Sequence, residues 1–343
     1  MATAGRSTSI TPTELGERLA PWVGARAGRP VAIEELKRVP GGASRETWAF
    51  TAVSAGARER LILRRDPPGH VIESSRRQEF ELLRAAADAG VAVPRVRWCE
   101  DDRAVLGAAF FVMDFVDGET LARRLLRDAV YAPARAALPE QLATAAARIH
   151  AIDLGRPALS YLAATRSDAN PAAVEVDRFE GIYRAITPDP HPALELTFRW
   201  LRARLPAGTR RTLVHGDFRI GNVIFGPEGL RAVIDWELSH LGDPIEDLGW
   251  LCVRSWRFGA DDKPAGGLCD RERFFAAYER AAGVAVDRQA ARWWEVCGNL
   301  KWAVMCIMQM RTHTEGHVRS VELASLGRRV AEMEHELLEL TED

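Results

Sequence analysis

Three polar side chains, Asp217, Asn222 and Asp235, stand at spacings that suit phosphoryl transfer. Each adjoins a short apolar segment (213–214, 223–225 and 232–234), so we expect them in turns held by strands, where catalytic groups commonly lie. One carboxylate can orient or deprotonate an attacking hydroxyl, while an amide oxygen and a second carboxylate can hold Mg²⁺. A polar hairpin turn that caps its own backbone is the alternative interpretation. Because three positions match together, we predict Asp217 as the catalytic base and Asn222 and Asp235 as metal ligands.

The pattern His-x-Asp-x-x-x-x-Asn, from His215 to Asn222, is followed by a strand that ends in Asp235. It resembles the catalytic core of the kinase-like superfamily. Gly216 stands where protein kinases carry Arg, and Asp-Trp-Glu at 235–237 stands where they carry Asp-Phe-Gly. That combination resembles the aminoglycoside phosphotransferase and choline kinase branch. In this superfamily the histidine supports the loop, so we expect His215 to be structural rather than catalytic.

The resemblance implies an α+β, protein-kinase-like fold with two lobes. Runs of strands followed by runs of helices favour the same class. The predicted N-terminal nucleotide-binding lobe is small, β-rich and spans 1–116, and the predicted C-terminal lobe is helical, spans 117–343 and holds the catalytic loop and the acceptor site. The resemblance further implies ATP as phosphoryl donor, Mg²⁺ as cofactor and a small-molecule hydroxyl as acceptor.

Gly41, Gly42 and Ser44 lie between two strand signals and resemble the loop that covers the nucleotide phosphates in this family. Glycines allow backbone N–H groups to approach phosphate oxygens closely. An ordinary hairpin turn would have the same composition, so the position in the chain decides the interpretation. We predict that these residues contact the nucleotide.

Arg64 ends an apolar strand, where kinase-like enzymes carry a lysine, and Glu79 is the matching acid of the next helix. The pair would hold the α- and β-phosphates. Arg65 is the alternative phosphate contact. A non-functional interpretation is that Arg64 and Arg65 are both solvated charges at the end of a strand. The run from Leu63 to Gly69 resembles a bacterial subgroup related to the kinase-like domains fused to acyl-CoA dehydrogenases.

Met113, Asp114 and Phe115 resemble the hinge whose backbone meets the adenine edge in this family. Side-chain identity matters little at such a hinge, because backbone groups make the contact. The alternative role of these residues is to line the core. We include them among the predicted nucleotide contacts.

The composition restricts the partners that the chain can have. Its 343 residues carry a net charge of −2, which gives no reason to expect nucleic acid or an anionic membrane surface. No apolar run reaches 18 residues, and the N-terminus does not resemble a secretory signal. Five scattered cysteines suit reduced thiols in a cytoplasmic protein. We expect a cytoplasmic monomer or homodimer.

Sequence patterns also predict the elements that position these residues. Thr11 is expected to cap a first helix, and strands are expected at 31–39, 48–53, 61–64, 91–94 and 108–113, with a helix at 75–89. Later helices are expected at 120–127, 139–152, 179–186, 193–205, 247–253, 270–282, 287–310 and 318–340, with an irregular region at 153–177.

The acceptor is less well defined by sequence. Aminoglycoside enzymes line their acceptor site with carboxylates, whereas the late helices here mix both charges. A hydroxyacyl thioester or another carboxylate-bearing alcohol is therefore an alternative acceptor, and a non-catalytic nucleotide-binding protein is an alternative of another class. A protein kinase is disfavoured, since no room for an activation segment follows Asp235. Trp293, Trp294 and Trp302 form either a helical core stripe or an apolar wall of the acceptor pocket.

Overall fold

The computed structural model describes residues 10–39, 46–66, 76–164, 169–187, 189–207 and 210–342, except for the side chains of 163 and 164. The chain divides into two compact units. One unit comprises Met1–Asp117 with Pro157–Leu159, and the other comprises Gly118–Arg156 with Ser160–Asp343. The mixture of strands and helices confirms the predicted α+β class.

The first unit contains one five-stranded antiparallel sheet, in the order β1-β2-β3-β5-β4. Apolar side chains of α1 and of alternate strand positions form its core, including Leu19, Trp48, Leu63 and Phe110. The elements are α1 (Pro12–Ala27), β1 (Ala32–Arg38), β2 (Glu46–Ser54), β3 (Ala57–Arg65), α2 (Arg76–Asp88), β4 (Val96–Glu100), α3 (Arg103–Leu106) and β5 (Phe110–Asp114).

Two sequence predictions for this unit have different outcomes. Thr11 caps α1 as predicted, since its hydroxyl accepts a hydrogen bond from the Glu14 backbone N–H at 3.2 Å. The strand predicted at 91–94 is wrong, because the structure begins β4 at Val96. Pro94 lacks the N–H that a ladder hydrogen bond needs, so the apolar run that contains it is a poor strand.

The second unit is mostly helical and holds two small two-stranded sheets, β6 with β9 and β7 with β8. Its main core packs side chains of α7, α8, α11 and α13 together. The elements are α4 (Ala122–Arg127), α5 (Ala132–His150), α6 (Ser160–Ala164), α7 (Pro171–Ile186), α8 (Pro192–Ala203), β6 (Thr212–Val214), β7 (Val223–Gly226), β8 (Gly229–Val233), β9 (His240–Gly242), α9 (Ile245–Cys252), α10 (Arg271–Ala282), α11 (Arg288–Thr314), α12 (Val321–Leu326) and α13 (Arg329–Thr341).

Three helix boundaries differ from the sequence prediction. Helix α5 begins at Ala132 and includes Pro139, which the sequence suggested as the helix start. The region predicted as irregular contains α6 and the first turns of α7, which starts at Pro171 with Asn170 as its cap. The last predicted helix is divided at Gly327, where a Cβ atom would lie 2.8 Å from the Met310 side chain.

All five cysteines are free; Cys99 is half-buried and Cys252, Cys269, Cys297 and Cys306 are buried. Burial raises the pKa of every one of these thiols, to about 12 for Cys99 and to about 11 for Cys269. In the part of the chain that the structure describes, the helices lack the combination of length and apolar content that a membrane span requires.

Candidate active site

Three side-chain donors hold the carboxylate of Asp217, in the loop after β6. The Trp250 Nε1–H and the Arg219 Nε–H donate to Oδ1 at 2.7 and 2.9 Å, and the Asn222 Nδ2–H donates to Oδ2 at 2.5 Å. The Asp217 side chain is 13% exposed. The carboxylate is therefore fixed in orientation but still partly open, as a group that must meet a small hydroxyl requires.

The β7–β8 hairpin brings the backbone of Asn222 beside the residue that precedes Asp235. Buried Asn222 leads into β7, and its backbone carbonyl accepts a hydrogen bond from the Ile234 N–H at 2.9 Å. Asp235 follows with φ 68° and ψ 63°, a left-handed conformation that Asp tolerates better than most residues. Such backbone outliers are concentrated at functional sites.

The chemistry of these side chains fits Mg²⁺. The Asn222 amide nitrogen donates to Asp217, so the amide oxygen is the atom that a cation would contact. One amide oxygen and the Asp235 carboxylate are hard donors, and Mg²⁺ usually keeps several waters beside such a pair. Their role as magnesium ligands stays a prediction.

Asp247, in the first turn of α9, anchors the backbone of the Asp217 loop. Its carboxylate accepts the N–H groups of His215 and Gly216 at 2.7 and 2.9 Å, and its Oδ2 lies 3.1 Å from His150 Nε2. Burial raises the pKa of Asp247, but the hydrogen bond and charge of His150 and the other donors outweigh burial and hold it below its ordinary value. The ionised form of Asp247 thus stabilises the loop.

His215 and Gly216 have contacts that explain their residue types. The His215 ring is fully buried, which lowers its pKa, and its Nε2 and Nδ1 meet the Ile234 carbonyl and the Asp217 backbone N–H at 3.1 and 3.3 Å. Both nitrogens thus serve the backbone, which favours a structural role. Gly216 has φ 79°, and a Cβ atom there would lie 2.3 Å from the Leu238 carbonyl oxygen. A side chain is therefore excluded at this position.

In the first unit, the predicted ion pair is present: Arg64 Nη1 lies 3.1 Å from Glu79 Oε1. The sequence did not suggest Arg76, whose Nη1 donates to the other oxygen of Glu79 and whose Nε lies 2.9 Å from Asp66 Oδ1. Arg76 stands one helical turn before Glu79 on α2, and that spacing was the available signal. Glu79 is buried under two guanidinium groups, and its role toward phosphates stays a prediction.

Arg65 points to the opposite face of β3, because side chains alternate along a strand. Its side chain is 1% exposed, its Nη1–H donates to the Leu106 carbonyl at 2.9 Å, and its Nε lies 3.3 Å from Glu46 Oε2. These contacts place Arg65 in the interior of the first unit. They favour Arg64 over Arg65 as the cation available to a phosphate.

The hinge residues lie at the end of β5. Met113 is buried, the Asp114 N–H donates to the Arg95 carbonyl at 2.8 Å, and the Phe115 N–H donates to the Arg60 carbonyl at 3.1 Å. These two N–H groups are therefore already bonded within the first unit, and the contact of the hinge with a nucleotide stays a prediction. Gly41, Gly42 and Ser44 lie outside the residues that the structure describes.

The Trp250 side chain, which contacts Asp217, begins a row of three tryptophan rings in the second unit. The rings of Trp250, Trp256 and Trp302 follow one another at centroid distances of 5.4 and 4.8 Å, and the Arg219 guanidinium lies 4.5 Å from the Trp256 ring centroid. Trp302 is half-buried, whereas Trp293 and Trp294, the other tryptophans of the predicted stripe, are buried in the main core. Neither Arg219 nor Trp250 was identified from the sequence as part of the site. The spacing of Arg219, two residues after Asp217, was an available signal for Arg219, whereas Trp250 had none.

Fold and site together define a phosphotransferase of the kinase-like type that acts on small molecules. Residues 35–293 match the phosphotransferase enzyme family called APH, and the chain belongs to this family. The predicted kinase-like fold is confirmed by solved structures. A proposed aminoglycoside phosphotransferase from Ralstonia eutropha superposes with a TM-score of 0.77 at 24% identity, over 95% of this chain and 97% of the other. The spectinomycin phosphotransferase APH(9)-Ia, solved with ADP and spectinomycin, has a TM-score of 0.61 at 14% identity, over 94% and 98%.

A curated relative confirms the predicted subgroup. Acyl-CoA dehydrogenase family member 10 of Mus musculus is 33% identical over 260 residues. The match covers 72% of this chain but 23% of the mouse protein. The relative thus carries a kinase-like region within a much longer chain.

Proposed function

We propose that this chain transfers the γ-phosphoryl group of ATP to a hydroxyl group of a small molecule, with Mg²⁺ as cofactor. The single observation that supports the proposal best is the carboxylate of Asp217, which three donors hold beside Asn222 at the start of the β7–β8 hairpin. In phosphoryl transfer the protein contributes mainly by positioning groups and stabilising charge, so a fixed carboxylate is the required feature.

The contacts of Asp217 and Arg64 support their proposed roles, and the residue types of Asn222 and Asp235 support theirs. Asp217 orients the acceptor hydroxyl and accepts its proton as the hydroxyl oxygen bonds to the γ-phosphorus. The bond from that phosphorus to the β,γ-bridging oxygen breaks, and ADP leaves. Asn222 and Asp235 would hold Mg²⁺, which neutralises phosphate charge when bound. Arg64, oriented by Glu79, contacts the α- and β-phosphates through its planar guanidinium.

An adenine nucleotide is the donor that the comparisons favour, since the spectinomycin phosphotransferase was solved with ADP. We extend that donor to this chain on the shared fold and on the Arg64–Glu79 pair. The pair offers a fixed cation that is 12% exposed, the kind of group that phosphate recognition uses.

A hydroxyacyl thioester, or another alcohol that carries a carboxyl group, is the second candidate acceptor. The mouse relative is named as an acyl-CoA dehydrogenase, so a thioester substrate shared along one chain is chemically reasonable. A polycationic aminoglycoside would instead require several facing carboxylates.

Coupled measurement of ADP release tests both candidates. Purified enzyme with MgATP would be offered hydroxyacyl thioesters, free hydroxy acids, aminoglycosides, choline and sugars, and the product would be identified by phosphorus NMR. Asp217→Asn is the control: it keeps the size of the side chain but cannot accept the proton, so turnover should fall by about 10²–10⁴ with MgATP binding retained. Near-normal turnover in Asp217→Asn would remove Asp217 from the mechanism. MgATP binding without phosphorylation of any acceptor would favour the non-catalytic alternative.

A further inference from the structure

Four charged side chains from separate elements meet beneath the Asp217 loop. The Lys301 Nζ of α11 lies 3.2 Å from Glu246 Oε1 of α9 and 3.4 Å from Glu175 Oε1 of α7. His240 Nε2 of β9 lies 3.2 Å from the other oxygen of Glu246. Lys301 is 5% exposed, and both glutamates are buried. The His240 side chain is 29% exposed. We call Glu175, His240, Glu246 and Lys301 the charged quartet.

Glu246 faces two cationic side chains within the charged quartet. Burial lowers the pKa of His240, but Glu246 and Glu175 outweigh it and raise the pKa to about 9, against the opposing charge of Lys301. Burial raises the pKa of Glu246, but His240 and Lys301 outweigh it and hold the pKa at about 2. Two cations, Lys301 and protonated His240, therefore face the ionised Glu246 at neutral pH. Well-packed apolar residues often stabilise a core as well as buried ion pairs do, so stability alone does not account for this arrangement.

Lys301 reaches the Asp217 loop by two routes. Its ammonium donates to the carbonyl oxygen of Gly216, the residue before Asp217, at 3.4 Å. The same ammonium lies 4.9 Å from the ring centroid of Trp250, whose indole N–H donates to Asp217 Oδ1. One buried cation thus contacts the backbone next to Asp217 and the side chain that holds its carboxylate.

His240 supports the same loop from another side. Its Nδ1 donates to the Leu238 carbonyl at 2.9 Å, and that carbonyl oxygen is the atom that would be 2.3 Å from a Cβ at Gly216. The protonated ring can donate from both nitrogens at once, to Leu238 and to Glu246. The charged quartet therefore contacts Gly216 directly through Lys301 and holds the segment packed on Gly216 through His240.

We infer that Lys301 is a positioning residue for Asp217, acting through the Gly216 carbonyl and the Trp250 indole. The inference rests on the proposed function, since it assigns Lys301 a part in the turnover that Asp217 supports. Glu175, His240 and Glu246 could by composition hold a metal ion, as their ligand atoms lie within 4.8 Å of one another. The ammonium of Lys301 already lies within 3.4 Å of both carboxylates, so each of them faces a cation without a metal ion.

The test compares Lys301→Met, which keeps the length of the side chain without its charge, with Lys301→Arg. The exposed Lys263→Met serves as the matched control. We expect Lys301→Met to lower kcat by up to about 10²-fold, the effect of misplacing a catalytic group by about 1 Å, with the KM of ATP little changed. Lys301→Arg should recover part of kcat, and Lys263→Met should match the wild type.

The decisive readout is a double-mutant cycle with Asp217→Asn. If Lys301 acts through Asp217, Lys301→Met should lower kcat far less when Asp217 is already replaced, because groups that act as a unit are not additive. A full, undiminished loss in the Asp217→Asn background would overturn the inference and make Lys301 merely structural. A Lys301→Met enzyme with wild-type kcat would also overturn the inference.

Trp250→Phe tests the second route, and Lys301→Arg measured in the wild-type and Asp217→Asn backgrounds decides the role of Lys301 if Lys301→Met does not fold. Phenylalanine keeps an apolar ring but removes the N–H that donates to Asp217, so kcat should fall and the loss should again shrink in the Asp217→Asn background. Thermal unfolding of every variant separates misfolding from mispositioning. A wild-type enzyme that turns over no acceptor would refute the proposed function instead, which keeps the two failures distinguishable.

Discussion

Exchanging each of the neighbours Arg64 and Arg65 for alanine should produce two different defects. The two side chains point to opposite faces of β3. Arg64 is 12% exposed and pairs with Glu79, whereas Arg65 is 1% exposed and bonds to Glu46 and the Leu106 carbonyl. If Arg65 were the solvated strand-end charge that the sequence allows, Arg65→Ala would have little effect. The structure changes that expectation to a loss of stability.

The contacts set the expected magnitudes. Arg65→Ala leaves Glu46 without its cation and the Leu106 carbonyl without its donor, and breaking a buried pair costs about 3–5 kcal/mol. Arg64→Ala leaves Glu79 paired with Arg76, so its cost in stability should be smaller. The lost phosphate contact is a hydrogen bond to a charged group, worth about 1.5–3 kcal/mol, which corresponds to roughly a 10- to 150-fold rise in the MgATP Kd.

Denaturant titration of both variants and calorimetric titration with MgATP would measure these effects. Arg64→Lys belongs in the series, since it should keep part of the affinity if charge is sufficient and lose most of it if the planar fork is needed. The reasoning would be refuted if Arg65→Ala weakened MgATP binding with normal stability while Arg64→Ala bound it normally. That result would mean that Arg64, not Arg65, faces away from the nucleotide.

Two further outcomes follow from the second unit. Asp235→Ala should abolish most of the Mg²⁺ dependence of ATP binding, which titrations with and without Mg²⁺ would show; unchanged affinity and activity would make the acid structural. The pKa of His240 is raised from 6.5 to about 9, so its stabilising charge is fully present below pH 6.5 and is lost as pH rises toward 9. The wild-type free energy of unfolding should therefore fall more steeply across that window than that of His240→Gln, and parallel curves would contradict the assignment.

The parts of the site that are local in sequence were the predictable ones. Asp217, Asn222 and Gly216 belong to one short run, and their residue types already indicate the chemistry. The Arg64–Glu79 pair was accessible too, because strand end and following helix are neighbours in the chain. Lys301 and Trp250 were not accessible as parts of the site.

Those two residues reach the Asp217 loop only through tertiary packing. Lys301 meets Gly216 across 85 residues of sequence, and Trp250 meets Asp217 across 33. Hydrophobic periodicity identifies the buried face of a helix but not the element against which that face packs. The predicted start of α5 was wrong for a related reason. Pro139 is a strong local signal for a helix start, yet tertiary packing lets α5 begin earlier, at Ala132.

Because the thiols are shielded in the native state, their alkylation can be used to follow the unfolding of each unit separately. Thiolates, not thiols, react with alkylating reagents, so raised pKa values and shielding together should keep the five cysteines silent in the native state. Cys99 belongs to the first unit, and Cys252, Cys269, Cys297 and Cys306 belong to the second. A pulse of iodoacetamide during unfolding, read by mass spectrometry, would therefore count one added group for an opened first unit and four for an opened second unit. The cysteines are therefore an unequal set of unfolding reporters, with one in the first unit and four in the second.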